Sequence, residues 1–243
     1  IDGVEELKML IDIGSSISML FDTDKVKKLN LTKGYELEVG GYGGHQNSAA
    51  YQTEVSAVTV SSISYRNVNF GYIPISETKF FLRRDQAGFD GVIGNDLLKD
   101  LVWHFDRDKE AVSAFKSLPK SLLNKDIDWI PFDTFFGKIS FPVKITFNDH
   151  ILERDVILDT GSRYHMSIND TYFGGDKEFP QLTIQSAGYS LSGMALHKKA
   201  NTPMVEVGSL KLNNVVTNII REDEDDFWTL GSALLSQFEI VVD

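Results

Sequence analysis

Cysteine is absent from all 243 residues. Disulfides, thiolate metal sites and a cysteine nucleophile are therefore excluded, and the redox compartment stays open. No apolar run approaches the ~20 residues that cross a bilayer as a helix, so no membrane-spanning segment is expected. Basic residues are outnumbered, 24 Lys and Arg against 35 Asp and Glu, giving a formal charge of −11. No basic stripe is available to neutralise phosphates, which excludes nucleic acid as a partner. The histidines (His45, His104, His150, His165 and His197) fall at no metal-ligand spacing and read as surface or packing residues. "GGYGG" at 40–44 lacks the strand-to-helix context and the following Lys-Ser/Thr of a phosphate cradle. The acidic run at 221–227 lacks the glycine and the spacing of a calcium loop and reads as a solvated loop. No metal and no cofactor is expected.

What the chain does have is a repeat. Residues 11–15 read Ile-Asp-Ile-Gly-Ser and residues 158–162 read Leu-Asp-Thr-Gly-Ser, the two aspartates 147 positions apart (159 minus 12). Each copy follows a β-rich apolar run. In the second half "ISFPVKITF" and "ILERDVIL", joined by Asn-Asp, read as a hairpin leading into Asp159. Each half later carries an apolar residue, a glycine and a short apolar helix start, "VIGNDLL" at 92–98 and "TLGSALL" at 229–235. Aspartate and glycine are separated by 82 positions in the first half (94 minus 12) and 72 in the second (231 minus 159).

Alternating runs such as "TEVSAVTV" and "MVEVGSLKL" fill the space between these landmarks. Helix signals are few and short; Thr23 is a candidate N-cap for the turn containing Val26. Trp103, Trp129 and Trp228 have apolar neighbours and read as core. Strand alternation lapses around Pro119, which puts a boundary within 116–130. The domains expected are 1–118 and 126–243, both mostly β. The opening "IDGVEELKML" reads as a hairpin without its first strand, so a trimmed N-terminus, and with it a lost targeting segment, is expected.

Paired carboxylates have a definite chemistry. Two of them within ~3 Å cannot both ionise easily and share a proton, so one takes a proton from water while the other donates to a carbonyl oxygen. Such a pair titrates as a unit. Gly14 and Gly161 suit loops that must approach backbone to backbone without a Cβ, and the hydroxyls of Ser15 and Ser162 are expected to donate to the carboxylates. Paired carboxylates also split glycosides, but the glycine follower segments have no role in that chemistry.

With the loops "DIGSS" at 12–16 and "DTGS" at 159–162 and the followers at 92–98 and 229–235, the chain resembles the two-lobed aspartic peptidases, related to pepsin and closer in motif style to the retropepsin-like enzymes. The resemblance covers almost the whole chain. It implies a mostly β fold of two similar pepsin/retropepsin-like β-barrel lobes with the active site between them. It implies Asp12 and Asp159 as the catalytic dyad, supported by Gly14, Ser15, Thr160, Gly161 and Ser162, and hydrolysis of peptide or protein substrates by an activated water. Two lobes in one chain imply a monomer, and the lack of cysteine suits a compact bacterial-type member, which implies an extracytoplasmic protein (periplasmic, secreted or lipid-anchored through a removed N-terminus).

Family enzymes cover the cleft with a glycine-rich hairpin. "EVGGYGGHQNSA" at 38–49 lies where that flap belongs, with Gly41, Tyr42 and Gly43 at its tip against substrate. A weaker equivalent in the second half is 186–195, around Gly188 and Tyr189. One departure from the pattern is Ile13, which stands where the family has Thr, the residue that hydrogen-bonds across to the other loop. Ile13 has no hydroxyl and is expected to leave backbone polar groups short of a partner, loosening the dyad. The rival expectation is a catalytically weakened module of the same fold that binds peptides or inhibits a peptidase.

Overall fold

Residues of period two make strands. In "TEVSAVTV" Thr53, Val55 and Val58 are buried while Glu54, Ser56 and Thr59 face water. The described residues are mostly strand, with little helix. The computed structural model describes residues 5–41, 47–60, 62–78, 88–123, 127–147, 150–169, 184–191, 193–220 and 228–243. They form two compact units, Ile1–Asp96 with Ala187–Leu196, and Leu97–Ser186 with His197–Asp243.

The first unit is a curled sheet of six strands. In chain order these are β1 (Met9–Ile11), β2 (Met19–Phe21), β3 (Glu36–Val39), β4 (Ser48–Val60), β5 (Ile63–Ile73) and β6 (Gly91–Ile93), arranged β1-β6-β2-β5-β4-β3. β6 slots between β1 and β2, parallel to the first (Leu10 opposite Val92) and antiparallel to the second (Met19 opposite Val92). Two short helices accompany the sheet, α1 (Asp24–Lys27) and α2 (Asn95–Leu98). Thr23 caps α1 as its sequence suggests, its hydroxyl accepting the Val26 N–H. The core gathers Met19, Phe21, Val39, Ala50, Ile73, Ile75 and Val92, with Leu10, Leu37, Phe89 and Leu191 packed against it. Leu191 arrives from the excursion Ala187–Leu196, and its carbonyl accepts the Ser48 hydroxyl at 3.0 Å.

The second unit closes. The remaining strands are β7 (Val102–Asp106), β8 (Ala111–Phe115), β9 (Asp133–Phe135), β10 (Lys138–Phe147), β11 (His150–Asp159), β12 (Met166–Asn169), β13 (Ile184–Ser190), β14 (Gly193–Val207), β15 (Leu210–Ile220), β16 (Trp228–Gly231) and β17 (Ile240–Val242), of which the end of β13 and the start of β14 lie in the excursion counted with the first unit. Helices α3 (Lys120–Leu123) and α4 (Ser232–Leu235) complete it. β14 pairs with β15 and also with β10, through Lys144 opposite Glu206, which joins β14-β15-β12-β16-β11-β10 into a six-stranded barrel. Closure leaves these six without a free edge. The barrel buries Val143, Ile145, Val156, Met166, Ile168, Val205 and Trp228. Its buried Thr202 and Thr217 satisfy each other at 2.6 Å.

β17, β7 and β8 form a separate three-stranded sheet. His104 of β7 pairs there with Glu239 at 2.6 Å. Of the tryptophans, Trp103 and Trp228 are buried, but Trp129 is 50% exposed, against the expectation from its apolar neighbours. It precedes β9, the three-residue end strand of its sheet, where one side has no neighbouring strand to cover it.

At the β14–β15 turn Gly208 has φ +57°, and Asp128 braces it by accepting from the Ser209 hydroxyl and amide. The hydroxyl bond, above all, holds the Asp128 carboxyl below its ordinary value. A lowered folded value means that this contribution is present above the unfolded value and is lost as pH falls through the folded one. Ser209→Ala is expected to move the Asp128 titration upward by NMR; an unchanged midpoint would refute the assignment.

Candidate active site

Asp12 follows β1 directly and Asp159 ends β11. The two loops are built alike. The Asp12 amide donates to the Ile93 carbonyl at 3.0 Å, and Asp159 lies opposite Gly231 in the parallel β11–β16 ladder. Each half-buried carboxylate then receives amides of its own loop: Gly14 N–H on Asp12 Oδ1 at 2.8 Å, Gly161 and Ser162 N–H on Asp159 Oδ1 at 3.1 and 2.9 Å. Bonds of this kind orient a carboxylate from within its own loop.

The follower segments lock the loops from behind. The Asn95 amide donates to the Ser15 carbonyl at 2.8 Å, and the Ser232 amide to the Ser162 carbonyl at 2.7 Å. Immediately before these donors the two backbones all but touch. A Cβ on Gly94 would lie 2.5 Å from the Ile17 carbonyl oxygen and 2.9 Å from that of Ser15. On Gly231 it would overlap the Tyr164 carbonyl oxygen and lie 3.1 Å from that of Ser162. Only glycine permits this approach.

The supporting residues take partners other than those expected. Ser15 and Ser162 do not turn their hydroxyls to the carboxylates: Ser15 Oγ donates to the Ile17 carbonyl at 2.8 Å, and Ser162 Oγ accepts the Tyr164 amide at 3.4 Å. The reason is reach, since the backbone carbonyl and amide two residues ahead in each tight loop are the nearest partners. Gly14 and Gly161 contribute their N–H groups. Thr160 is half-buried beside Asp159. Ile13 is 2% exposed, and its carbonyl is not left short, because Asn95 Nδ2 donates to it at 2.8 Å.

Asn95 is the residue that sequence reasoning missed. An asparagine at a helix start reads as a cap, whereas here its side chain serves the Asp12 loop. Asn95→Ala is expected to remove this buried bond and lower stability by roughly 1–3 kcal/mol, measurable by urea unfolding; a loss below about 0.3 kcal/mol would show that the bond carries nothing. Ser18 was also missed. Its hydroxyl donates to Asp96 at 2.7 Å and accepts the Gly94 amide at 3.0 Å, tying the follower segment to β2.

The expected flap is a hairpin in its described part, with Val39 opposite Ser48. Gly41 is half-buried at its approach, while Tyr42 and Gly43 lie outside the described residues. In the second unit Tyr164, five residues beyond Asp159, sets its ring edge-on to His197 at 5.0 Å, and burial raises its hydroxyl above the ordinary value. A second cluster, His104, Asp106 and Glu239, brings its ligand atoms within 4.8 Å of one another. Asp106 is held there by Lys109, whose ammonium lies 2.7 Å away and lowers the carboxyl's value.

Residues 1–97 match the family model described as aspartyl protease. Among solved structures the chain is similar to a retropepsin-like aspartic protease from Rickettsia conorii, with 18% identity and a TM-score of 0.35, over 45% of this chain and 79% of that one. No curated protein matches. The family match spans Asp12, its loop and its follower glycine, and residues of the second unit repeat the same strand plan around Asp159. Over residues 1–97 the chain is thus similar to the aspartyl proteases.

Proposed function

We propose that the protein is an aspartic endopeptidase in which Asp12 and Asp159 act as one acid–base pair on a water molecule. One observation carries the reading: the same Asp loop, braced by its own amides and locked by the same glycine crossing, is built twice in one chain. A single such loop would be a turn; two supply the two carboxylates that amide hydrolysis needs.

In the proposed reaction the ionised member of the pair takes a proton from water as the water oxygen attacks the scissile carbonyl carbon. The protonated member donates to the carbonyl oxygen, giving a neutral diol. Proton transfer to the nitrogen then breaks the carbon–nitrogen bond and restores the shared proton. No covalent intermediate forms and no metal takes part. The substrate is an extended peptide, adding its backbone as a strand beside the paired β3 and β4. With both aspartates in one chain, a monomer suffices.

The test is cleavage of a diverse peptide mixture read by mass spectrometry from about pH 3 to 8, with Asp159→Asn in parallel. Cuts present in the native protein and absent from the variant are the expected result. Cuts that survive in the variant, or none from the native protein, would overturn the assignment.

A further inference from the structure

The loop that carries Asp159 continues into a cation that the fold does not use. Arg163 is exposed and makes no hydrogen bond or ion pair among the described residues. Some cations elsewhere have structural work, and of the exposed guanidinium groups without a partner among the described residues, Arg66 and Arg163, only Arg163 lies in an Asp loop. Arg107 forks onto Asp108 at 3.0 and 2.7 Å and reaches the Gln237 carbonyl, and Lys33 lies over the rings of Tyr51 and Tyr72. In a chain with eleven more acids than bases, an unpaired guanidinium four residues beyond Asp159, in the same loop, is not explained by stability.

Its backbone, by contrast, is held on both sides. The Ser162 carbonyl accepts the Ser232 amide, the Tyr164 carbonyl accepts the Ala233 amide at 3.2 Å, and the His165 carbonyl accepts the Gly231 amide at 3.0 Å. The Tyr164 ring is braced on His197. A charged fork on an immobile base, with its donors open, is the arrangement that reads a carboxylate in two-point geometry. The first loop has no counterpart: the position equivalent to Arg163, 147 residues earlier, is Ser16. The two loops therefore differ in charge, and only one of them can select for it.

We propose that Arg163 is a specificity residue that recognises an Asp or Glu side chain of the substrate on the Asp159 side of the scissile bond. This rests on the peptidase reading above. Four residues of chain span at most about 14 Å, and an extended peptide advances about 3.3 Å per residue. The carboxylate recognised thus lies within about four residues of the cut. The substrate class is an acidic peptide, drawn to a locally cationic point on a protein that otherwise repels it.

The experiment uses the intact chain and a random decapeptide library holding Glu and Gln in equal amounts. Native protein is expected to favour Glu over Gln about tenfold in kcat/KM at one position on one side of the cut, with the preference falling as salt rises. Arg163→Ala should level the ratio and Arg163→Glu should invert it, while Arg163→Lys keeps part of it. A native protein indifferent to Glu and Gln, or a preference that persists in Arg163→Ala, would overturn the proposal. Failure of the peptidase reading is separable. If nothing is cut, the same library is captured on immobilised Asp159→Asn protein with and without Arg163→Ala, and the Glu-to-Gln ratio of bound peptides is read. Loss of Glu enrichment with the arginine supports the charge assignment, and equal ratios refute it.

Discussion

Asp159→Asn and Asp12→Asn should each reduce peptide cleavage by at least about a thousandfold while leaving the fold in place. The kinetic half follows from the proton that the proposed pair shares. An amide can neither take the proton from water nor hand one to the carbonyl oxygen, and loss of a positioned acid–base group costs about 10²–10⁴, more when two groups act as a unit. The structural half follows from the loop. Oδ1 of each aspartate accepts amides, from Gly14 in one loop and from Gly161 and Ser162 in the other. An asparagine oxygen accepts the same bonds. Melting midpoints within a few degrees of the native protein, together with absent cleavage, are the expected pair of results. Equal loss from both variants would identify a pair. If only one variant lost activity, the two carboxylates would not be partners.

Gly94→Ala and Gly231→Ala should be among the most destabilising single substitutions in the chain, each by roughly 3 kcal/mol. The added methyl meets backbone and not a side chain that could swing away, namely Ile17 and Ser15 in the first case and Tyr164 and Ser162 in the second. Relief requires moving the follower segment, which breaks the Asn95 or Ser232 amide bond to the Asp loop. For a chain of this size the loss corresponds to a melting midpoint lower by roughly 6–12 °C. Activity should fall further than the folded fraction does, because the shift acts on the loop that orients the carboxylate. Gly88→Ala is the control, since among the described residues nothing lies within 4 Å of a Cβ there. Gly94→Ala and Gly231→Ala proteins as stable as the native one would refute the backbone crossing.

The Asp loops and their glycine followers were legible because each is a short string whose residue types answer a local demand. A turn needs the glycine, a carboxylate needs adjacent amides, and a crossing needs a missing Cβ. Their pairing across 82 and 72 positions could be read only because the pattern occurs twice. Residues whose role depends on a distant strand were not legible. Nothing local to Lys144 announces that it will face Glu206 and close a barrel. Trp129 reads as core until β9 is known to end its sheet. Asn95 sits where a cap belongs and instead donates to the Ile13 carbonyl, a role that depends on the follower segment crossing the Asp12 loop. Ser15 and Ser162 had plausible partners in their carboxylates but closer ones in their own backbones.

The three-stranded sheet has a consequence for how the chain is made. Phe105 faces Ile240 across a ladder although 135 residues separate them (240 minus 105). At about 5–20 residues per second, β7 waits roughly 7 to 27 seconds on the ribosome for its neighbour. The first unit waits too, since Leu191 belongs to its core. Synthesis therefore completes neither the three-stranded sheet nor the packing of the first unit until long after their first strands have emerged, and a chain interrupted in between exposes apolar residues of both.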